Sequence, residues 1–225
     1  MVGVSTSTDN KSHKAALKVL ELRQETAAAD QADVELQLAR MGMREQKRLE
    51  RRHQHTEIMQ GVFHLRGVVD SDKCAVLEMA IRLHCQLNAD APITLQINTP
   101  GGDVIAGLGL YDTLRTIAGQ GHHITTVVRG YAASMGAVLF QAGDLRLIGA
   151  ESEIMLHELS AGSYGKASSI KDDSEFYDRL NSKLFDILAR KAKVKKKVLV
   201  DRTERRDAWL DAKTAVELGL ADRIG

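Results

Sequence analysis

The chain is short of cysteine, proline and aromatic residues, and it carries almost no net charge. Its two cysteines, Cys74 and Cys85, are eleven positions apart (85 − 74). On one straight helix that separation is about 16 Å at about 1.5 Å per residue. It is too long for a disulfide, so a cross-linked scaffold is excluded and buried free thiols are expected. No Cys/His cluster has metal-ligand spacing. The adjacent pair His122 and His123 has no third ligand nearby and reads as a solvated turn, so no metal or cofactor is expected. Lysine plus arginine is 31 against 30 acidic residues, and a net charge of +1 gives no global argument for nucleic acid or an anionic membrane. No run approaches ~18 apolar residues, so no transmembrane helix is expected. Residues 1–10 are polar and rich in Ser and Thr, without the apolar core of a signal peptide. A cytoplasmic location is therefore expected.

Proline is missing altogether from residues 12–55, where glycine occurs once, at Gly42. That segment is rich in Ala, Leu, Glu, Gln, Lys and Arg, which favour helix. Ser12 can cap a helix starting at His13, and Gly42 marks a break in it. Its apolar stripe (Leu17, Leu20, Val34, Leu38, Met41) is thin, so such a helix needs a partner to bury it. Arg44, Lys47, Arg48, Arg51 and Arg52 make its end basic, which reads as a solvated helix face. The predicted organisation is a disordered N-terminus at 1–11, a helical extension at 12–55 and a globular domain at 56–225.

In the globular part, β-rich runs alternate with helical ones. Strands are predicted at 62–66, 93–98, 124–129, 144–148 and 153–156. Helices are predicted after a cap at Ser71 or Asp72, with Leu77, Ile81 and Leu87 inward, and over 103–117, 135–140, 168–193 and 212–218. The helix over 168–193 is expected to bury Phe176, Leu180, Leu184, Ile187 and Leu188. Alternation of this kind implies βαβ units and an α/β layered fold.

The domain is organised around Gly130-Tyr131-Ala132-Ala133-Ser134-Met135-Gly136-Ala137. A β-like run leads in and an apolar run leaves, so one serine stands at a strand-to-helix bend among small residues. Such a bend exposes a hydroxyl at the positive end of the next helix. A lone serine there is more often a helix cap. Two other stretches weigh against that reading. Ile97-Asn98-Thr99-Pro100-Gly101-Gly102-Asp103 is a strand running into a turn that cannot continue it. Ile154-Met155-Leu156-His157 places a histidine at a strand end. A serine hydroxyl needs a base to take its proton, and His157 is the best-placed candidate. A carboxylate should orient that base, but spacing alone does not choose one among 30 acidic residues.

Together these stretches resemble the Clp protease proteolytic subunit. That family carries an Asn-(Ser/Thr)-Pro-Gly-Gly loop, an Ala-Ser-Met-Gly turn and an apolar strand ending in His, in this order. A fourth segment, Arg206-Asp207-Ala208-Trp209-Leu210 before Ala215-Val216-Glu217-Leu218-Gly219-Leu220-Ala221-Asp222, is also similar. The resemblance spans roughly residues 60–225. It implies a repeated β-β-α superhelix with a long handle helix and a serine endopeptidase built on Ser134, His157 and Asp207. Glu204 and Asp201 are the alternatives to Asp207. The resemblance further implies an oxyanion hole from the N–H groups of Gly102 and Met135. The substrate strand would lie along Gly101, Asp103, Val104 and Ile105 on one side and Glu158, Leu159 and Ser160 on the other. Implied partners are a peptide or unfolded protein substrate and further copies of the chain in a ring, or in two stacked rings. A Clp-type ATPase or a capsid or scaffold protein would meet the N-terminal extension.

The chain departs from the family in having His157-Glu158-Leu159 where His-Gln-Pro is common, in lacking the family's N-terminal loops, and in ending soon after Asp222. Other readings remain: a capsid (prohead) maturation protease of the same fold, a catalytically silent ring subunit, a crotonase-like acyl-CoA enzyme, or a Ser/Lys protease.

Overall fold

Parallel strands need long crossovers, and the alternating segments of residues 56–225 supply them. The structure, a computed structural model, describes residues 56–225 together with 38–48, Lys18 and Leu36. The chain divides into two compact units, Met1–His55 and Thr56–Gly225. In the first, residues 38–48 are helical and exposed. The helix runs through Gly42, so that glycine is not the expected break. The expected disorder at 1–11, the cap at Ser12, the stripe residues Leu17, Leu20 and Val34, and the basic Arg51 and Arg52 lie outside the described residues.

The second unit runs β1 (Val62–Arg66), α1 (Ser71–Leu87), β2 (Ile93–Thr99), α2 (Val104–Gly119), β3 (Ile124–Ala133), α3 (Met135–Phe140), β4 (Leu145–Ile148) and β5 (Glu153–Leu156). It continues with α4 (Ala167–Ala189), α5 (Lys196–Thr203), β6 (Ala208–Asp211), α6 (Ala212–Glu217) and β7 (Arg223–Ile224). The sheet order is β1-β2-β3-β4-β7, all parallel. β3 is long enough to take two neighbours in succession on one edge. Thr125–Val128 pair with β4, and Tyr131–Ala133 pair with β5. β6 then runs antiparallel to β5. The α/β fold class expected from the alternation is the one observed.

The core sits between sheet and helices. Ile93, Leu95 and Ile97 of β2 are fully buried on alternate positions, as are Leu110 and Leu114 of α2. Each such side chain contributes about 2 kcal/mol of transfer free energy. All six residues of α3 are buried, so this short helix is apolar all round and fixed from every side.

Several local expectations need correction. The cap of α1 is Asp70, whose carboxylate accepts from the Lys73 N–H at 2.7 Å, not Ser71 or Asp72. Leu87 is exposed, because α1 turns its Val76-Met79-Leu83-Leu87 stripe away from the sheet. α4 stops at Ala189, and Phe176 lies on its exposed first half. His122 is buried, its ring nitrogen bonded to the Ala91 carbonyl at 2.9 Å, so only His123 is solvated. β6 and β7 were not foreseen.

β7 exists because a buried cation draws the C-terminal segment back to the sheet. Arg146 of β4 is 3% exposed and donates to the Asp222 carboxylate, to Gln141 Oε1 and to the Gly219 carbonyl. The Asp222 N–H donates to the Arg146 carbonyl at 2.9 Å. Burial pushes the Asp222 carboxyl up, but the hydrogen bonds and charge of Arg146 outweigh this and hold it below its usual range. A carboxyl lowered in the folded state contributes stability above its unfolded pKa of about 4, lost as pH falls through the lower folded value. Arg146→Ala is predicted to cost on the order of 3 kcal/mol. It should also flatten the loss of stability below about pH 4. Thermal unfolding from pH 7 to pH 3 checks both.

Candidate active site

β2 ends at Thr99, whose side chain is fully buried. Its hydroxyl donates to the Gly67 carbonyl and accepts the Gly101 N–H at 3.0 Å. Val69 clamps the loop from the other side. Its N–H donates to the Gly101 carbonyl and its carbonyl accepts the Asp103 N–H, both at 2.8 Å. Held this way, Gly101 (φ 91°) and Gly102 (φ 147°) occupy backbone conformations that side chains disfavour. They also lack space. A Cβ on Gly101 would stand 2.7 Å from Ser134 Cβ, and one on Gly102 would stand 2.2 Å from the Val69 carbonyl oxygen.

Ser134 follows directly from β3, and its N–H donates to the Met155 carbonyl at 2.9 Å. Its backbone is at φ 53°, ψ −121°, left-handed for a residue with a side chain. Such a conformation costs on the order of 1–3 kcal/mol and persists only where the surroundings over-determine it. A serine before a helix normally caps it. Ser134 makes no cap bond to α3. Its Oγ instead meets His157 Nε2 at 2.7 Å. Strand pairing explains the meeting: β3 and β5 are parallel neighbours, so their ends deliver Ser134 and His157 side by side.

β6 brings Asp207 to the same end. The pairing runs as far as Leu156 opposite Ala208, so His157 directly follows β5 and Asp207 directly precedes β6. Among the described residues no hydrogen bond or ion pair joins the Asp207 and His157 side chains. Among the described residues, Ser134 is the one side-chain partner of His157, and Asp207 is exposed. Of the alternatives, Asp201 pairs with Lys197 at 2.9 Å and Glu204 ends α5; neither is bonded to His157.

The N–H groups of Gly102 and Met135 have no acceptor among the described residues, and Met135 opens α3. Gly101 packs against Met135, its hypothetical Cβ 3.0 Å from that nitrogen, so loop and helix start are in contact. A cavity of about 320 Å³ adjoins Ser134 and His157. Val104, Leu159 and Ser160 line it, whereas Asp103 caps α2 by accepting from the Ala106 N–H at 2.9 Å. Gly101 is buried beneath the site, and Ile105 and Glu158 are exposed outside the cavity. Its remaining lining, from Val138, Met155, Leu184, Phe185 and Leu188, was not singled out as a site in the sequence. Leu184 and Leu188 read there as core positions on an amphipathic helix, because a pocket floor and a core face share one pattern. Among the described residues no Asp, Glu, Lys or Arg lines the cavity. Among the described residues no group of three or more His, Cys, Asp or Glu is placed to hold a metal ion, and no helix is long and apolar enough to cross a membrane.

The site thus brings together a serine after β3, a histidine after β5 bonded to it, and the Gly102 and Met135 N–H groups. The Clp protease family matches residues 48–225, and the chain belongs to that family. It is also similar to the ATP-dependent Clp protease proteolytic subunit 3 of Rhodococcus jostii (strain RHA1), with 37% identity over 134 residues. That match covers 59% of this chain and 64% of the relative, so it spans a little under two thirds of the relative's length.

Thr99→Val keeps the side-chain shape but strands the buried Gly101 N–H and the Gly67 carbonyl. It is predicted to cost about 2 kcal/mol, against less than about 1 for Thr99→Ser, which keeps the hydroxyl. The Val variant should therefore unfold about 4–8 °C below wild type and well below the Ser variant in thermal melts.

Proposed function

We propose that the chain is a serine-type endopeptidase that hydrolyses peptide bonds through Ser134, His157 and Asp207. The observation that carries this reading is the 2.7 Å contact between Ser134 Oγ and His157 Nε2 at a strained turn. In the reaction, His157 Nε2 accepts the Ser134 proton as Oγ attacks the peptide carbonyl. The developing oxyanion takes the Gly102 and Met135 N–H groups, which have no acceptor among the described residues and sit at a glycine loop and a helix start. His157 returns the proton to the leaving amine, and water attacks the acyl-enzyme by the same route. The apolar cavity suits an uncharged, apolar side chain next to the scissile bond. The substrate backbone lies as an added strand between Gly101–Ile105 and Glu158–Ser160.

Asp207 completes the triad by turning to accept the His157 Nδ1 proton. Asp207 directly precedes β6 and His157 directly follows β5 at the paired end of these strands, which supports this partnership, and assembly is the event that closes it. The peptidase domain, residues 56–225, works as a homo-oligomeric ring enclosing the sites, in the cytoplasm. The extension at 12–55 recruits a partner: a Clp-type ATPase, as the name of the Rhodococcus relative suggests, or a capsid or scaffold protein.

Ser134→Ala is predicted to abolish cleavage of an unfolded protein or fluorogenic peptide while leaving melting temperature and elution volume unchanged. Asp207→Asn is predicted to lower kcat by about 10³–10⁴. Cleavage retained in Ser134→Ala would overturn the reading.

A further inference from the structure

Between His157 and α4 the chain forms a strap, residues 158–166, without helix or strand. Its glycines, Gly162 and Gly165, and its exposure give it no reason of its own to keep one path. Three side chains of α4 hold it. The Leu159 N–H donates to Asn181 Oδ1 at 3.0 Å. The Tyr177 hydroxyl donates to the Gly162 carbonyl at 3.4 Å, and the Ser163 hydroxyl donates to the Asp173 carboxylate. Asp173, Tyr177 and Asn181 recur every four residues, so they form one row along α4. The strap runs antiparallel to that row, its residues 159, 162 and 163 meeting 181, 177 and 173.

The row continues into the candidate site. One turn beyond Asn181 stand Leu184 and Phe185, which line the cavity together with Leu159 and Ser160. One wall of the cavity is thus strap and the adjoining wall is α4. Asn181 makes the side-chain hydrogen bond that joins them nearest the reacting pair, two residues after His157. Tyr177 and Asp173 fasten the strap further out, where no cavity lining depends on them.

We infer that Asn181 is a positioning residue: its amide oxygen fixes the strap against α4 and so sets the wall along which substrate lies beside His157. This deepens the peptidase reading and rests on it. The substrate backbone needs a partner edge at a fixed distance from Ser134, and a small displacement of that edge is costly to rate. A small probe that reacts with Ser134 without reaching the strap does not need it.

The test compares Asn181→Leu, which keeps the size but loses the acceptor, with Asn181→Asp, which keeps an acceptor oxygen. Asn181→Leu is expected to lower kcat/KM for an extended peptide about tenfold, the equivalent of one lost positioning hydrogen bond. Its labelling rate with a small alkyl fluorophosphonate should fall less than about twofold, and Asn181→Asp should restore peptide turnover to within about threefold of wild type. Hydrogen exchange over residues 158–163 should accelerate in the Leu variant and not in the Asp variant. Equal loss of peptide turnover and probe labelling, or wild-type turnover in the Leu variant, would overturn the inference. So would unchanged exchange of the strap. Should wild-type protein neither cleave nor label, the peptidase reading fails, and the exchange result still decides the clamp.

Discussion

The backbone turn at Ser134 is the constraint on which the rest of the domain depends. A serine at φ 53° is held there because its surroundings leave no alternative. β3 arrives fixed by pairing with β2 and β5, and α3 leaves buried on every side. Gly101 fits under the turn only because it has no Cβ. Gly136 is under the same demand: a Cβ there would lie 2.4 Å from Thr99 Cγ2. The strain is local, and it is sustained by the burial of α3 and its neighbours, several apolar side chains each worth about 2 kcal/mol. What the strain secures is orientation. The hydroxyl is turned away from its helix and presented to His157.

The sheet then acts as a positioning device. Two parallel strands deliver the serine and the histidine, an antiparallel third delivers Asp207, and a fourth strand end supplies the glycine loop. All four contributions come from strand ends, and each is set by main-chain hydrogen bonds rather than by long side chains. His157 and Asp207 are not linked, and Asp207 is exposed.

Much of this was legible in the sequence because close approach demands small residues. Gly101, Gly102 and Gly136 are glycine for reasons of space that the structure makes numerical, and the strand-turn-helix reading around Ser134 follows from them. Helix positions were readable where one face is apolar over many residues, as at Leu77 and Ile81. The missed features lack such a signal. β6 is four residues long, with Trp209 exposed, and its existence depends on pairing with β5 rather than on its own alternation. The cap at Asp70 was displaced to Ser71 or Asp72 because three capping residues stand in a row. Leu184 and Leu188 have the periodicity of core residues, so their part in a cavity shows only when the strap is in place. The bond between Asn181 and Leu159 joins residues 22 apart and has no periodic trace at all.

The central claim is that Ser134 is a nucleophile activated by His157. The most direct measurement is intact-mass labelling with a fluorophosphonate across size-exclusion fractions of wild type, Ser134→Ala and His157→Ala, with the modified peptide mapped. The account predicts one adduct per chain, on Ser134, in the oligomeric fractions of wild type and in neither variant. An adduct elsewhere, equal labelling of the His157 variant, or no labelling in any fraction would contradict it.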